Sequence, residues 1–165
     1  MANINDASSS PHVLVVDPST NVHDVIDVYN MSYRCNNDGS LNGATAPAGV
    51  KMGLSKYLSD PEGVAVYLDD SQTTINLYLY VSDFAQNQVL RCNIATTVHN
   101  LATAFTSSNC QLYGSTGSGI GTNSGNIQFF QPRGIWSDGS GNIYVADSGN
   151  HRILKFDQNM NPLTK

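Results

Sequence analysis

The chain has 165 residues, a formal charge of −5 and only 13% charged residues, against roughly 25% in ordinary soluble domains. Its eight Lys and Arg residues are scattered singly, which excludes the basic cluster that holds nucleic acid electrostatically. No apolar run approaches the roughly 18 residues of a membrane-crossing helix, and the length suits one domain with a real core.

Taken in order, the N-terminus MANINDASSSPH lacks the basic and apolar regions of a signal peptide. That start fits either a protein not exported by this route or a mature or partial sequence. Val13-Leu14-Val15-Val16 runs into Asp17, and Val25 to Tyr29 supplies a second apolar run; both read as strands. Asn30-Met31-Ser32 is a glycosylation sequon with meaning only in a secreted eukaryotic protein. Cys35 precedes the glycine- and asparagine-rich stretch Asn37 to Gly43. Three strand-like runs follow: Pro61 to Val66, Leu79 to Ser82 ending on Asp83, and Gln88 to Arg91. Val98 to Phe105 suits either a short helix or an outer strand. Cys110 then precedes a second glycine-rich stretch, Gly114 to Gly121. It lacks the lysine and the strand-to-helix setting of a phosphate loop, so both stretches read as long connectors between sheets.

The last stretch, Gln131 to Asp157, organises the chain. Gly134-Ile135-Trp136, Ile143-Tyr144-Val145-Ala146 and Ile153-Leu154-Lys155-Phe156 are separated by Asp138-Gly139-Ser140-Gly141-Asn142 and Asp147-Ser148-Gly149-Asn150. Short β-prone runs broken by Asp, Gly and Asn form an antiparallel meander. The middle run does not alternate apolar with polar, so its strand requires cover on both faces.

The chain repeats itself. Pro61-Glu62-Gly63-Val64 corresponds to Pro132-Arg133-Gly134-Ile135, Tyr80-Val81-Ser82-Asp83 to Tyr144-Val145-Ala146-Asp147, and Val89-Leu90-Arg91 to Ile153-Leu154-Lys155. The offset falls from 71 at the prolines to 64 at the Tyr-Val pairs. A seven-residue insertion within Asp69 to Asn76 accounts for the difference, in a turn where loops lengthen cheaply. Asp17, Asp83 and Asp147 follow one another at 66 and 64 residues, and each is expected to hold backbone N–H groups at a strand end.

Pro132-x-Gly134-Ile135 followed by Asn142 to Ile153 resembles a nearly complete NHL repeat. The repeat residues are Pro132, Gly134, Asp147, Asn150, His151 and Arg152, with Pro61, Gly63 and Asp83 as counterparts. Phe84-Ala85-Gln86-Asn87 departs from the pattern where Ser148-Gly149-Asn150-His151 stands in the last unit. The resemblance implies an all-β fold, an NHL-type β-propeller segment of about three complete or incomplete four-stranded blades. All of residues 1–165 form one such domain: a partial blade at about 13–35, a complete one at about 60–110 and a third at about 131–165. The first unit is expected to supply its second to fourth strands and the last its first three.

Closed propellers have about four to eight blades, so fewer than three would leave apolar faces and strand edges open. Either missing blades of a longer chain or other copies of the protein must cover them, in a ring or a filament. We expect a non-enzymatic segment acting in protein–protein interaction or self-assembly, extracellular or at the cell surface, given the low charge and the many hydroxyl and amide side chains. The alternative is a fragment of a larger propeller enzyme, amidating-lyase-like or lactonase-like, or of a receptor ectodomain. A third reading has Trp136, Tyr80 and Tyr144 lining a ligand pocket, against their placement in the core.

No catalytic, cofactor or metal site is expected. His12, His23, His99 and His151 have no zinc spacing, there is no nucleophile elbow, and Asp138-x-Ser140-x-Asn142 lacks the downstream acid of a calcium loop. Asp69-Asp70 reads as a solvated pair of charges. Cys35, Cys92 and Cys110 are an odd number and permit one intrachain disulfide. Cys35 with Cys110, Cys92 with Cys110, and a bond between chains are all open.

Overall fold

The computed structural model describes residues 56–69, 71, 76–93, 109–121 and 123–163 with their side chains. It describes in backbone alone the strands before residue 52 and the last two residues of the strand that ends at Ala95. Strands are numbered in chain order. The first sheet contains β1 (Ala2–Asn5), β2 (Pro11–Asp17), β3 (Asp24–Val28) and β6 (Gly49–Lys51), hydrogen-bonded in that order. Ala2 pairs with Leu14, Val15 with Ile26, and Asp27 with Val50. This sheet therefore has four strands and reaches beyond 13–35 at both ends. The first strand was hidden because a ladder uses backbone amides that any residue carries, and β1 has no Pro-x-Gly entry. Between β3 and β6, β4 (Arg34–Cys35) and β5 (Leu41–Asn42) form a separate two-stranded hairpin.

The second sheet is an antiparallel meander of β7 (Pro61–Asp69), β8 (Asn76–Asp83), β9 (Gln88–Ala95) and β10 (Cys110–Tyr113). Its fourth strand runs to Tyr113, beyond the expected boundary at 110; Val98 to Phe105 lies outside the described residues. Connecting it to the third sheet, β11 (Ser115–Thr116) pairs in parallel with β12 (Gln128–Phe129). The third sheet holds β13 (Pro132–Ser137), β14 (Ile143–Asp147) and β15 (Arg152–Phe156). A fourth edge begins after it, where Phe156 bridges to Pro162 and Leu163 N–H donates to the Lys155 carbonyl at 2.8 Å. β7 touches β1, β2 and β3 of the first sheet and β13 of the third.

The insertion is visible as longer strands. In the third sheet Ser137 pairs with Ile143, and the chain turns through Asp138 to Asn142. In the second sheet the ladder continues from Val66–Leu79 through Tyr67–Tyr78 and Leu68–Leu77 to Asp69–Asn76. The rings of Tyr67 and Tyr78 stack 6.4 Å apart on this extension. Tyr67 also lies against Gly141, whose φ is 78° and where an added Cβ would sit 2.9 Å from Tyr67 Cζ. Glycine meets both demands at that position. Asp69 is buried, which corrects the solvated reading for that residue, Asp70 lying outside the described residues; the Asp69 carboxylate accepts from the Ser71 hydroxyl at 2.6 Å and its N–H at 3.1 Å. Those bonds, the hydroxyl first, hold its carboxyl below the ordinary range.

One turn is used twice. Asp138 Oδ1 accepts from the Ser140 and Asn142 N–H groups, both at 2.9 Å, and Oδ2 from the Asn142 side-chain amide at 2.7 Å. Asp157 makes the same bonds with Asn159 and Asn161, at 2.8, 2.9 and 2.9 Å. Gly141 and Met160 take the positive φ at the fourth place, 78° and 62°. The carboxylate supplies the acceptors that a turn's amides otherwise lack. With Asp138 saturated by its own turn, the calcium-loop reading has no free carboxylate. The Asn142 side-chain bond, then the backbone bonds, hold the Asp138 carboxyl down to about 2. A folded value below the unfolded one, about 3.9, means stability present above pH 4 and lost as pH falls through 2. A carboxyl-carbon NMR titration is expected to place the Asp138 midpoint near 2, with the turn's amide shifts constant down to pH 3; a midpoint near 4 contradicts the turn.

Packing divides into two clusters. Leu58, Val64, Leu77, Leu79, Val81, Leu90 and Cys92 pack on one face of the second sheet. Its other face meets the third: Ala65, Tyr78, Tyr80 and Val89 pack with Ile127, Phe129, Ile143, Val145, Leu154, Phe156 and Met160. Phe129 and Phe156 meet edge-on, centroids 5.9 Å apart. Each such side chain contributes about 1.5–3 kcal/mol through burial, so the second and third sheets form one packed body.

Cys92 and Cys110 face each other across β9 and β10 and are joined by a disulfide. It spans a sequence separation of 18, for which loop closure gives about 3 kcal/mol. Reduction, or Cys110→Ser, is expected to lower unfolding stability by that order in urea melts. A reduced protein as stable as the oxidised one would contradict it. Cys35 lies in β4, its side chain outside the described residues.

Candidate functional site

Asp83 and Asp147 are structural, while the side chain of Asp17 lies outside the described residues. Asp83 is fully buried and accepts from the N–H of Ser59 at 2.5 Å, Asp60 at 3.3 Å and Gln86 at 2.9 Å. It ties the entry of the second sheet to the turn after β8. Asp147 is fully buried and does the same in the third sheet, accepting from Phe130 N–H at 2.7 Å, the Asn150 amide at 2.9 Å and Arg152 Nε at 2.7 Å. Asn150 and Arg152 also hold the connector, donating to the carbonyls of Gly117, Ser118 and Gln128. His151 is exposed and takes φ 54° at the end of the 3-10 turn Ser148–Asn150. Asn87, its counterpart, takes φ 57°, so the departure Phe84 to Asn87 keeps the turn's shape. Pro61 and Pro132 open their strands, where proline's missing N–H is tolerated. Asn30 lies outside the described residues. No group of three or more His, Cys, Asp or Glu side chains converges among the described residues.

What distinguishes the two repeats is their cover. Ala65 is opposite Tyr80 and Tyr80 opposite Arg91; Trp136 is opposite Tyr144 and Tyr144 opposite Lys155. These are the same places in two sheets. In the second sheet the third sheet covers them. Tyr80 and Val89 are fully buried, and burial pushes the Tyr80 phenol up. Tyr80 Oη and Arg91 Nε both donate to the Gln158 carbonyl at 2.7 Å. The Ser82 hydroxyl donates to the Arg133 carbonyl, and the Ser137 hydroxyl to the Val66 carbonyl at 2.5 Å. In the third sheet the corresponding face is open: Trp136 is 60% exposed and Ile153, the counterpart of Val89, 66%. Trp136 leans on Tyr144 with centroids 5.4 Å apart, and Lys155 Nζ lies 5.4 Å from the Tyr144 ring centre.

The glycines record the same difference. A Cβ on Gly63 would sit 2.5 Å from the Arg133 carbonyl oxygen, 2.9 Å from Ser82 Oγ and 3.0 Å from Ile135 N. On Gly134 it would meet only Ala146 Cβ, at 3.7 Å. The glycine that lets β13 lie against β7 is repeated in β13, with no backbone of another sheet against it among the described residues.

The sequence placed these residues in register but put Trp136 and Tyr144 beneath cover on both faces. The structure corrects this: Tyr80 is core, whereas Trp136 and half-buried Tyr144 front the open face. They line no shared pocket, because the third sheet separates Tyr80 from that face. Sequence reasoning missed the carbonyl of Gln158 as the acceptor for the sheet behind it. Its signal was the recurrence of Asp-x-x-x-Asn at 138–142 and 157–161.

Residues 129–156 match the NHL repeat family model. No curated protein matches the chain. Among solved structures, one similar to it is the crystal structure of a calcium-binding protein, regucalcin, from Agrobacterium tumefaciens strain C58, at 14% identity and a TM-score of 0.47. That alignment covers 98% of this chain, which spans 43% of the length of that one. So low a score carries no argument; what stands is the antiparallel strand pairing and the repeat match. The described sheets make an all-β fold of antiparallel strands, and its third sheet falls within the residues that match an NHL repeat.

Proposed function

We propose that this propeller segment is non-enzymatic and works by protein–protein contact, with the open face of the third sheet as its contact surface. The observation that carries the reading is the paired environment of Val89 and Ile153, one fully buried and one 66% exposed at the same repeat position. A face with tryptophan, tyrosine and isoleucine in a row, and the glycine that admits a neighbouring backbone, is suited to a partner strand or sheet. The Cys92–Cys110 disulfide and the low charge support an extracellular setting, since such bonds persist in oxidising compartments.

The test places the photo-crosslinker p-benzoylphenylalanine at position 153. Irradiation is expected to join the protein to a polypeptide in high yield. No polypeptide adduct, with the fold intact by circular dichroism, overturns the contact-surface reading.

A further inference from the structure

β10 is the outer strand of the second sheet and only four residues long. Among them Tyr113 alone is buried; Gln111 is exposed, and Cys110 and Leu112 are half-buried against the cluster of Leu79, Leu90 and Cys92. So little burial holds an edge strand weakly. Downstream, Tyr113 packs with Val89 and Phe129 in the body shared with the third sheet, and the Gly114 carbonyl accepts from the Gln88 side-chain amide at 3.0 Å. Upstream, beside the Asn93 N–H that donates to the Asn109 carbonyl at 2.8 Å, the strand is fastened by the Cys92–Cys110 bond.

We infer that this disulfide is a redox latch opened by a dithiol: once it is reduced, Cys110 to Leu112 leave β9, Tyr113 stays seated, and the packed body remains folded. The latch is independent of the open face of the third sheet. Its two sulfurs are not equivalent, since Cys92 is fully buried in an apolar cluster and Cys110 is partly exposed. A thiolate therefore attacks Cys110 Sγ; the S–S bond breaks, a mixed disulfide forms at Cys110, and Cys92 leaves as a thiolate that takes up a proton. Apolar surroundings disfavour that thiolate, which makes it a slow leaving group. Cys92 also stays opposite Cys110, held by the β8–β9 ladder, and re-forms the bond against a monothiol. In a dithiol the second thiol attacks the reagent's own sulfur in the mixed disulfide, departs as a cyclic disulfide and frees the Cys110 thiol. Two electrons and two protons pass from the dithiol to the protein. The open form bares the outer edge of β9, a row of backbone groups ready to pair.

The test is amide hydrogen exchange of the full chain by NMR, with and without dithiothreitol. Alternate residues bond across an antiparallel ladder, so the Arg91 and Gln111 N–H groups lie between β9 and β10 as the Asn93 N–H does. In the oxidised protein these three amides are expected to exchange as slowly as those of β8. In the reduced protein they are expected to outrun the β8 amides about a hundredfold, the effect of releasing a closed loop of this length, and at a rate that low urea does not change, as local opening requires. Cys110→Ser is expected to give the reduced pattern with no reductant. Reduced amides that keep pace with β8, or oxidised ones that already outrun it, overturn the latch. Glutathione at equal thiol concentration is expected to open the strand far more slowly than dithiothreitol; equal speed overturns the dithiol requirement.

Discussion

Gly63→Ala is expected to destabilise the protein by about 2 kcal/mol, and Gly134→Ala, measured with no partner bound, by no more than about 0.5 kcal/mol. Both glycines follow Pro-x at the start of an inner strand, so chemistry and local sequence are matched. What differs is the neighbour. At Gly63 the methyl collides with the Arg133 carbonyl oxygen, at the irregularity in β13, and with N of Ile135, which is paired to Val145. Overpacking against a backbone that cannot turn aside costs about 1–3 kcal/mol, while surface substitutions usually stay within about 0.5 kcal/mol. The Ser82 hydroxyl, 2.9 Å from the added methyl, would also have to leave its bond to Arg133. Urea unfolding of the two variants measures the difference directly. Equal losses would show that the second and third sheets do not pack as described.

Asp147→Ala is expected to cost about 3–5 kcal/mol, the range for removing one partner of a buried ion pair. Its carboxylate is fully buried and takes three donors from three segments: Phe130 before the sheet, Asn150 in the turn, and Arg152 at the start of β15. Truncation strands the Phe130 N–H and leaves Arg152, whose side chain is 23% exposed, with carbonyl acceptors only. Asp147→Asn keeps one acceptor and is expected to lose less. Asp83→Ala is expected to fall below Asp147→Ala, because Gln88 stands where Arg152 does and no ion pair is lost. Thermal and urea melts of the three variants check that order. An Asp147→Ala loss under 1 kcal/mol would contradict the tie between connector and sheet.

Much of this architecture was legible in the residues. The prolines, the strand-end aspartates and the Tyr-Val pairs fixed two sheets in register, and the shift from 71 to 64 located the longer hairpin before its strands were seen. A first strand without a Pro-x-Gly entry was not legible, because pairing at Ala2–Asn5 draws on amides alone. Disulfide choice was not either. The pairing of Cys92 with Cys110 depends on where the returning chain joins β9, a tertiary fact absent from cysteine spacing. Nor could the pattern separate Tyr80 from Tyr144. Equal residues at equal places carry equal sequence signals, and only the presence or absence of the next sheet makes one a core residue and the other a surface.

Trp136 is the chain's single tryptophan and stands in the middle of the open face, so its emission reports on that seat alone. With a partner crosslinked at position 153, acrylamide is expected to quench it poorly, with blue-shifted emission like that of a core residue. Freely quenched, red emission from Trp136 in the crosslinked complex would contradict a contact surface there.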